Sequence, residues 1–339
     1  MHDVELRIQP PGLSQSIELS QKNKSLFARS SDQLLSYVIT DEKQTTLHCQ
    51  QIEASPLRAD QHLILLMSLM EMLFSHRPEL QSIIIAKPEC ELDALYVQAY
   101  VHRNGNDWQF DRSTFYQCPL LWHREPAYLC RAERWQRTQD RLHPIRPKPA
   151  PGCIYRRYLP ELKEEISFDL LNFDEHLDIF TEWQNQARVA AFWELNQSRE
   201  ELKSYLQKLN DDPHAIPVIV NFNAITVGYF EIYWTMEDRL GPHYDAEAYD
   251  RGFHFLIGNR RFLGPKYTAQ ILKAATHMIF LDDVRTRRIM GEPRFDNQML
   301  LRYLQIFPAW EKLCEFDFPH KRAALLACHR QRFFEGGFL

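Results

Sequence analysis

Two mixed α/β domains are predicted for this chain, and three observations predict them. Its 339 residues exceed one ordinary domain and suit two. A proline-rich seam, LHPIRPKPAPG, sits between Leu142 and Gly152 and continues neither a helix nor a central strand. On either side of it, apolar residues switch between helical and strand spacing. The expected organisation is residues 1–141 as a smaller mixed domain, 142–152 as a linker with some polyproline character, and 153–339 as the domain that carries the chemistry.

Composition narrows the class. Apolar residues make up 45% and charged residues 25%, the balance of a protein that buries real cores. A net charge of −5 argues against a broad electrostatic grip on nucleic acid. The opening MHDVELRIQPPG lacks the basic and apolar regions of a secretion signal. The most apolar stretch, Leu63 to Phe74, is too short to span a bilayer and is interrupted by Ser68 and Glu71. Seven scattered cysteines without a C-x-x-C pair fit a reducing compartment and no structural zinc, so a cytoplasmic protein without a metal is expected.

The elements are read in order. Leu63–Phe74 has helical apolar spacing, Ser82–Ala86 reads as a buried strand, and Ala94–His102 alternates as a further strand. No constellation in this half suggests chemistry; Trp108, Trp122, His123 and Trp135 read as packing residues. Beyond the seam, strands are expected at Tyr155–Tyr158 and Glu165–Asp169, and helices at Asp174–Arg188 and Arg199–Leu209. Extended segments follow at Pro217–Phe222, Thr226–Trp234 and Gly252–Gly258. Ile271, Ala275 and Met278 mark one face of a helix over Tyr267–Leu281. A strand at Arg288–Gly291, a helix at Asn297–Leu304 and strands at Lys312–Phe316 and Ala323–His329 close the chain. The sequence contains no G-x-G-x-x-G, P-loop, H-E-x-x-H or G-x-S-x-G motif, which removes the common nucleotide, zinc-protease and hydrolase readings.

Three places offer chemistry. The loop NRRFLGPKY lies between an apolar strand and an amphipathic helix. Free N–H groups at the helix start, Gly264 and the cations Arg260, Arg261 and Lys266 suit a pyrophosphate, while an ordinary turn with solvated basic residues is the plain alternative. His254, in the strand FHFLIG, either faces a cleft as a general base or is hydrogen-bonded within the sheet. In MGEPRFDNQ, Glu292, Arg294, Asp296 and Asn297 cluster in a strand-to-helix connection, where Asp296 or Asn297 serves as a cap or Asp296 as a proton acceptor. The aromatic strand YFEIYW is either core or the wall of an acceptor pocket.

In combination these segments resemble the siderophore-biosynthetic branch of the GNAT acyltransferases. The resemblance is carried by GYFEIYW, DRGFHFLIGNRRFLGP, GEPRFDNQ and EFDFPHKR, in that order, with IYRRY and RVAAFWE before them, over residues 152 to 339. It implies an α+β fold with a mixed sheet splayed around an acyl-CoA; the smaller α/β domain before it lacks a similar loop and His/Asp pair, which is consistent with a degenerate GNAT-like unit. The family loop [Q/R]-x-x-G-x-[G/A] falls on Arg261, Gly264 and Lys266, so lysine replaces the last small residue. The family's catalytic histidine and aspartate fall on His254 and Asp296. To acetyl-CoA the resemblance assigns Arg260, Arg261, Gly264, Lys266 and Tyr267, together with Leu256, Ile257 and Asn297. For a lysine-derived acceptor, His320, Lys321 and Arg322 (or else a solvated turn) and Arg294 offer cations for the α-carboxylate, and Glu231 or Asp296 a carboxylate for the α-ammonium. Trp193, Tyr233 and Trp234 are further candidates for its pocket. Many relatives hold a tyrosine acid seven residues after the motif asparagine, where this chain has Leu304, with Tyr303 one position off.

The implied reaction is acetyl transfer to the hydroxylamine nitrogen of ε-N-hydroxylysine, giving a hydroxamate by direct attack with general-base assistance. The alternative acceptor is hydroxyputrescine or hydroxycadaverine, with acetyl or succinyl transfer. A non-catalytic CoA-binding module and a general amine acetyltransferase are the competing classes. The implied partners are the small hydroxylamine, the acyl-CoA and other enzymes of the siderophore pathway, with no nucleic acid, membrane or metal.

Overall fold

The computed structural model describes residues 4–31, 33–55, 58–86, 92–124, 133–138, 141–146, 148–298, 300–302, 307–319 and 321–339. The chain divides into two compact units that interleave in sequence. One comprises Met1–Arg124, Arg156–Lys163 and Phe334–Leu339; the other comprises Glu125–Tyr155 and Glu164–Phe333.

In the first unit, β1 (Val4–Ile8), β2 (Ile17–Lys22), β3 (Ser25–Ser30), β4 (Gln33–Glu42) and β5 (Thr46–Ala54) form an antiparallel meander. Asn23 sits in the β2–β3 turn at φ 52°, a left-handed conformation that asparagine tolerates. The chain then crosses over through α1 (Ala59–His76) to β6 (Ser82–Ala86), which runs parallel to β5. A parallel neighbour requires such a long connection. Nearly all of α1 from Leu65 to Phe74 is buried, as its continuous apolar run dictates. β7 (His102–Asn104) and β8 (Asp107–Asp111) complete the sheet in the order β1-β2-β3-β4-β5-β6-β8-β7. Inside this unit the Arg157 Nε donates to Glu71 at 3.1 Å, both side chains being buried, and Arg112 donates to the main-chain oxygens of Leu80 (2.8 Å) and Leu339 (2.6 Å).

The second unit carries β9 (Trp135–Thr138) paired with β10 (Arg141–Pro144) as a two-stranded ribbon. An eight-stranded sheet follows, made of β11 (Cys153–Leu159, of which Arg156–Leu159 counts with the first unit), β12 (Glu164–Leu170), β13 (Ala215–Phe222), β14 (Ile225–Trp234), β15 (Arg251–Ile257), β16 (Arg288–Gly291), β17 (Trp310–Asp317) and β18 (Arg322–His329). Its order is β11-β12-β13-β14-β15-β16-β18-β17; β15 and β16 pair in parallel, and β12 with β13, β13 with β14, β14 with β15, β16 with β18 and β18 with β17 antiparallel. Counted within each sheet, this is the order of the first unit, with the parallel step at the same place and bridged in both by an 18-residue helix. The fold is thus a GNAT unit preceded by a GNAT-like unit.

Helices Phe173–Gln184, Ala187–Trp193 and Arg199–Asp211 lie between β12 and β13. Asn172 caps the first by accepting from the Asp174 N–H, and Ser198 with Glu201 forms a capping box at the third. Their apolar faces, Leu177, Phe180, Trp183, Leu202 and Leu206, pack on Tyr229 and Leu256. The opposite face of the sheet carries Phe230, stacked on Phe255, with Phe253 tilted against Phe230 and edge-on to Phe255. Helix Pro265–Asp282 bridges β15 to β16.

Two expectations need correction. Ala94–His102 is not a strand: Asp93–Val97 is helical, because Leu92 and Leu95 are buried three residues apart while Tyr96 and Val97 are exposed. The helix expected over Asp174–Arg188 is two, since the chain turns at Asn185 and restarts at Ala187. Residues 303–306, at the end of the helix expected over Asn297–Leu304, lie outside the described residues.

Candidate active site

Strands β15 and β16 pair only at Arg251↔Ile289 and Gly252↔Met290. Beyond that point β15 runs on through His254, Leu256 and Ile257 while the chain leaving β16 enters Glu292 and Pro293. The mouth between them opens into a cavity of about 560 Å³, enough for a small acceptor and part of a donor.

Register places the central histidine. His254 stands directly opposite Glu231 on β14, and Gly252 opposite Tyr233. A Cβ at residue 252 would come within 2.4 Å of the Tyr233 ring, so glycine is what lets that ring lie flat over the strand. His254 Nδ1 lies 3.3 Å from Glu231 Oε2, and Nε2 lies 2.7 Å from Glu292 Oε1. Tyr233 donates to Glu292 Oε2 at 2.8 Å, and Lys321 donates to the Glu292 main-chain oxygen at 2.7 Å. Glu231 Oε1 accepts from Tyr205 (2.5 Å) and Tyr229 (3.1 Å). The Glu292 side chain is 1% exposed and the His254 ring 28%.

Burial by itself disfavours an imidazolium here. The Glu292 carboxylate, and hydrogen bonds to Glu231 and Glu292, outweigh it and push the His254 pKa up to about 10. Burial likewise opposes the Glu292 carboxylate, but His254 and Lys321 hold it well below the usual carboxylate range. A raised histidine pKa contributes stability that is complete below the unfolded value of 6.5 and lost as pH rises toward about 10. The depressed Glu292 acts oppositely, its contribution being lost only in strong acid. Urea denaturation is therefore expected to show stability falling between pH 6.5 and about 10, with a shallower fall in Glu292→Gln.

The cavity gathers Trp193, Glu231, His254, Arg294, Asn297 and Lys321 among the residues expected from sequence. Tyr233 is buried behind Glu292. Trp234 points to the other side of β14, under the Arg251 guanidinium at 3.9 Å from the ring centre. Asp296 is exposed and chelated by Arg294, with both contacts at 3.0 Å, and that guanidinium holds its carboxyl below the ordinary range. The Asn297 side chain accepts from the Leu300 N–H, as a cap does. Arg322 donates to Glu315 at 3.0 Å, away from the cavity, and His320 lies outside the described residues. Sequence reasoning missed the roles of Glu292, Tyr205, Asp238 and Arg239, all of which line the same cavity. For Glu292 a signal was present: a carboxylate next to the apolar strand RIMG must be buried and so must be paired.

The loop after β15 turns as its residues dictate. Asn259 accepts from the Arg261 N–H, Arg260–Phe262 forms a 3₁₀ turn, and Gly264 takes φ 115°, a conformation that favours glycine. Pro265 then opens the helix, and Arg260, Arg261 and Lys266 are exposed around its N-terminus. This donor set fits a pyrophosphate. Tyr267 packs against Phe222 and Phe262 and donates to Glu164 at 3.3 Å. Elsewhere in this unit His143, His214 and Glu237 converge, but Arg146 donates to Glu237 at 2.8 Å and already supplies the balancing positive charge.

Comparison with known proteins agrees with this geometry. Residues 172–318 match the acetyltransferase (GNAT) domain family. The N(6)-hydroxylysine O-acetyltransferase of Escherichia coli is 39% identical over 225 residues, 66% of this chain and 70% of that protein. The N(5)-hydroxyornithine:cis-anhydromevalonyl coenzyme A-N(5)-transacylase of Beauveria bassiana is 44% identical over 204 residues, 59% of this chain and 44% of that protein. The match thus covers 70% of the length of the first of these relatives and 44% of the second. An uncharacterized protein from Bacillus halodurans superposes with a TM-score of 0.51 at 25% identity, over 56% of this chain and 96% of that one. With a splayed sheet, a glycine-opened helix and two relatives acting on N-hydroxylated amino acids, the chain belongs to the GNAT acyltransferase family, in the group of the hydroxylysine and hydroxyornithine enzymes.

Proposed function

We propose that this protein transfers an acetyl group from acetyl-CoA to the hydroxylamine nitrogen of ε-N-hydroxylysine, forming a hydroxamate for siderophore assembly in the cytoplasm. The observation that carries the reading is His254, fixed between Glu231 and Glu292 in the mouth between β15 and β16, on the strand that precedes the glycine-opened helix. The helix start with Arg260, Arg261 and Lys266 would take the donor's pyrophosphate, and β15 beyond its parallel pairing, near Leu256 and Ile257, would present N–H groups to the thioester oxygen. A hydroxylamine nitrogen is far less basic than an alkyl amine and arrives neutral, so the site needs only to place it against the carbonyl. At the acceptor end, Lys321, Arg239 and Arg294 offer cations for an α-carboxylate, and Asp238 a carboxylate for an α-ammonium. These cations favour an amino-acid acceptor over a hydroxydiamine, which has no carboxylate. The five described cysteines are free, in keeping with a reducing compartment, and among the described residues no helix is long and apolar enough to cross a membrane.

The test is release of free thiol from acetyl-CoA over ε-N-hydroxylysine, hydroxycadaverine, hydroxyputrescine and lysine, with the product assayed as a ferric hydroxamate. A large preference for hydroxylysine and a coloured iron complex are expected. Preference for a hydroxydiamine would remove the carboxylate clamp, and an ester product, giving no hydroxamate colour, would move transfer from nitrogen to oxygen.

A further inference from the structure

We propose that His254 acts first as an acid: its Nδ1–H delivers a proton to the sulfur leaving the acyl donor, and Glu292 is the positioning residue that keeps the ring doubly protonated. The inference rests on the acyl-transfer reading above and settles which way the proton moves.

Geometry argues for it. A carboxylate oxygen accepts and does not donate, so a ring with a carboxylate at each nitrogen carries a hydrogen on both. Such a ring has no lone pair with which to take a proton from the acceptor. The two contacts are unequal. Nε2 is anchored at 2.7 Å on a buried Glu292 that Tyr233 fixes in turn. Nδ1 makes the longer contact, 3.3 Å, to Glu231 Oε2, while Tyr205 and Tyr229 donate to the other oxygen, Oε1, so the carboxylate keeps two donors when Nδ1 turns to a substrate.

The surrounding charges agree. From β14 comes Glu231, from the segment after β16 Glu292, from the loop after β14 Asp238 and Arg239, and from the start of β18 Lys321. With Glu194 and Arg294 also lining the cavity, four carboxyl groups stand against three cations, a balance that favours a positive charge on the ring. Of the other donors lining the cavity, the Tyr205 hydroxyl is held by Glu231, and Lys321 keeps one N–H on the Glu292 main chain while its charge faces the acceptor end.

The step balances. The acceptor nitrogen forms the N–C bond, the tetrahedral adduct collapses, and the C–S electron pair leaves on sulfur. The Nδ1 proton goes to sulfur and gives the free thiol. The neutral imidazole then takes the proton from the acylated nitrogen and ends as it began, so the net movement is one proton from nitrogen to sulfur. Such a site suits an acceptor that arrives neutral, as a hydroxylamine does and an alkyl ammonium does not.

The experiment compares wild type, His254→Gln and Glu292→Gln on two donors, acetyl-CoA and the acetyl thioester of p-nitrothiophenol, whose thiolate leaves without help. His254→Gln is expected to lose about 100-fold or more with acetyl-CoA but less than about tenfold with the aryl thioester. With acetyl-CoA the wild-type rate is expected to fall at high pH near the His254 pKa of about 10, and in Glu292→Gln that fall moves toward 6.5. Equal losses on both donors, or a rate that rises with pH through this range, would make His254 a base or a structural residue and overturn the proposal. Wild type inactive on both donors would instead sink the transfer reading beneath it.

Discussion

Replacing His254 with alanine is expected to lower turnover with acetyl-CoA and hydroxylysine by about two to four orders of magnitude, with the affinity for CoA nearly unchanged. The two effects separate because they sit on different elements. The donor's phosphates would be held by the start of the helix at Pro265, whereas His254 projects from mid-strand toward Glu231 and Glu292. Thiol-release kinetics measure the first quantity and calorimetric titration with CoA the second. The variant leaves Glu292 buried without its imidazolium, so a stability measurement must accompany the kinetics; Lys321 and Arg239, 3.9 and 3.7 Å from the same oxygen, are positioned to limit the cost. A parallel loss of CoA affinity would mean that the residue shapes the site and performs no proton transfer in it.

Glu71→Ala is expected to destabilise the first unit by about 3–5 kcal/mol, because it removes the buried carboxylate to which the Arg157 guanidinium donates. Both partners are nearly excluded from solvent, and the charge lies over the Tyr116 ring with its carbon 4.9 Å from the ring centre. The double replacement Glu71→Leu with Arg157→Met is expected to recover most of that loss, since an apolar pair of similar volume has no charge to desolvate. Urea denaturation of the two variants and the wild type measures both numbers. A loss below about 1 kcal/mol in the single variant would reduce the pair to the value of a surface contact.

Much of the fold was legible because it is encoded locally. Ser82–Ala86 and Arg288–Gly291 are strands with the bounds their apolar runs gave, and the spacing of Ile271, Ala275 and Met278 marks the buried face of the helix that follows the glycine loop. Gly264 and Pro265 announce that helix start through backbone preferences that need no partner. Ala94–His102 failed because a short apolar stretch satisfies either period, and burial of Leu92 and Leu95 selected the helix. The five-stranded meander before α1 drew no notice, since neither its turns nor its alternation points to chemistry.

The candidate site was legible in its residue types and not in its pairings. Sequence by itself determined that a histidine in an apolar strand precedes a basic, glycine-opened helix, and that acidic residues crowd the connection after β16. Tertiary structure alone decided which carboxylates meet the ring. Glu231 reaches it by cross-strand register, and Glu292 through the divergence of two strands that pair at only two positions. It also decided that Asp296, four residues on, spends its charge on Arg294 in solvent. Secondary structure follows from energies between residues a few positions apart. Partners 23 and 38 positions away are chosen by sheet register and burial, because an ion in a low-dielectric interior must find its counterion wherever the fold brings one.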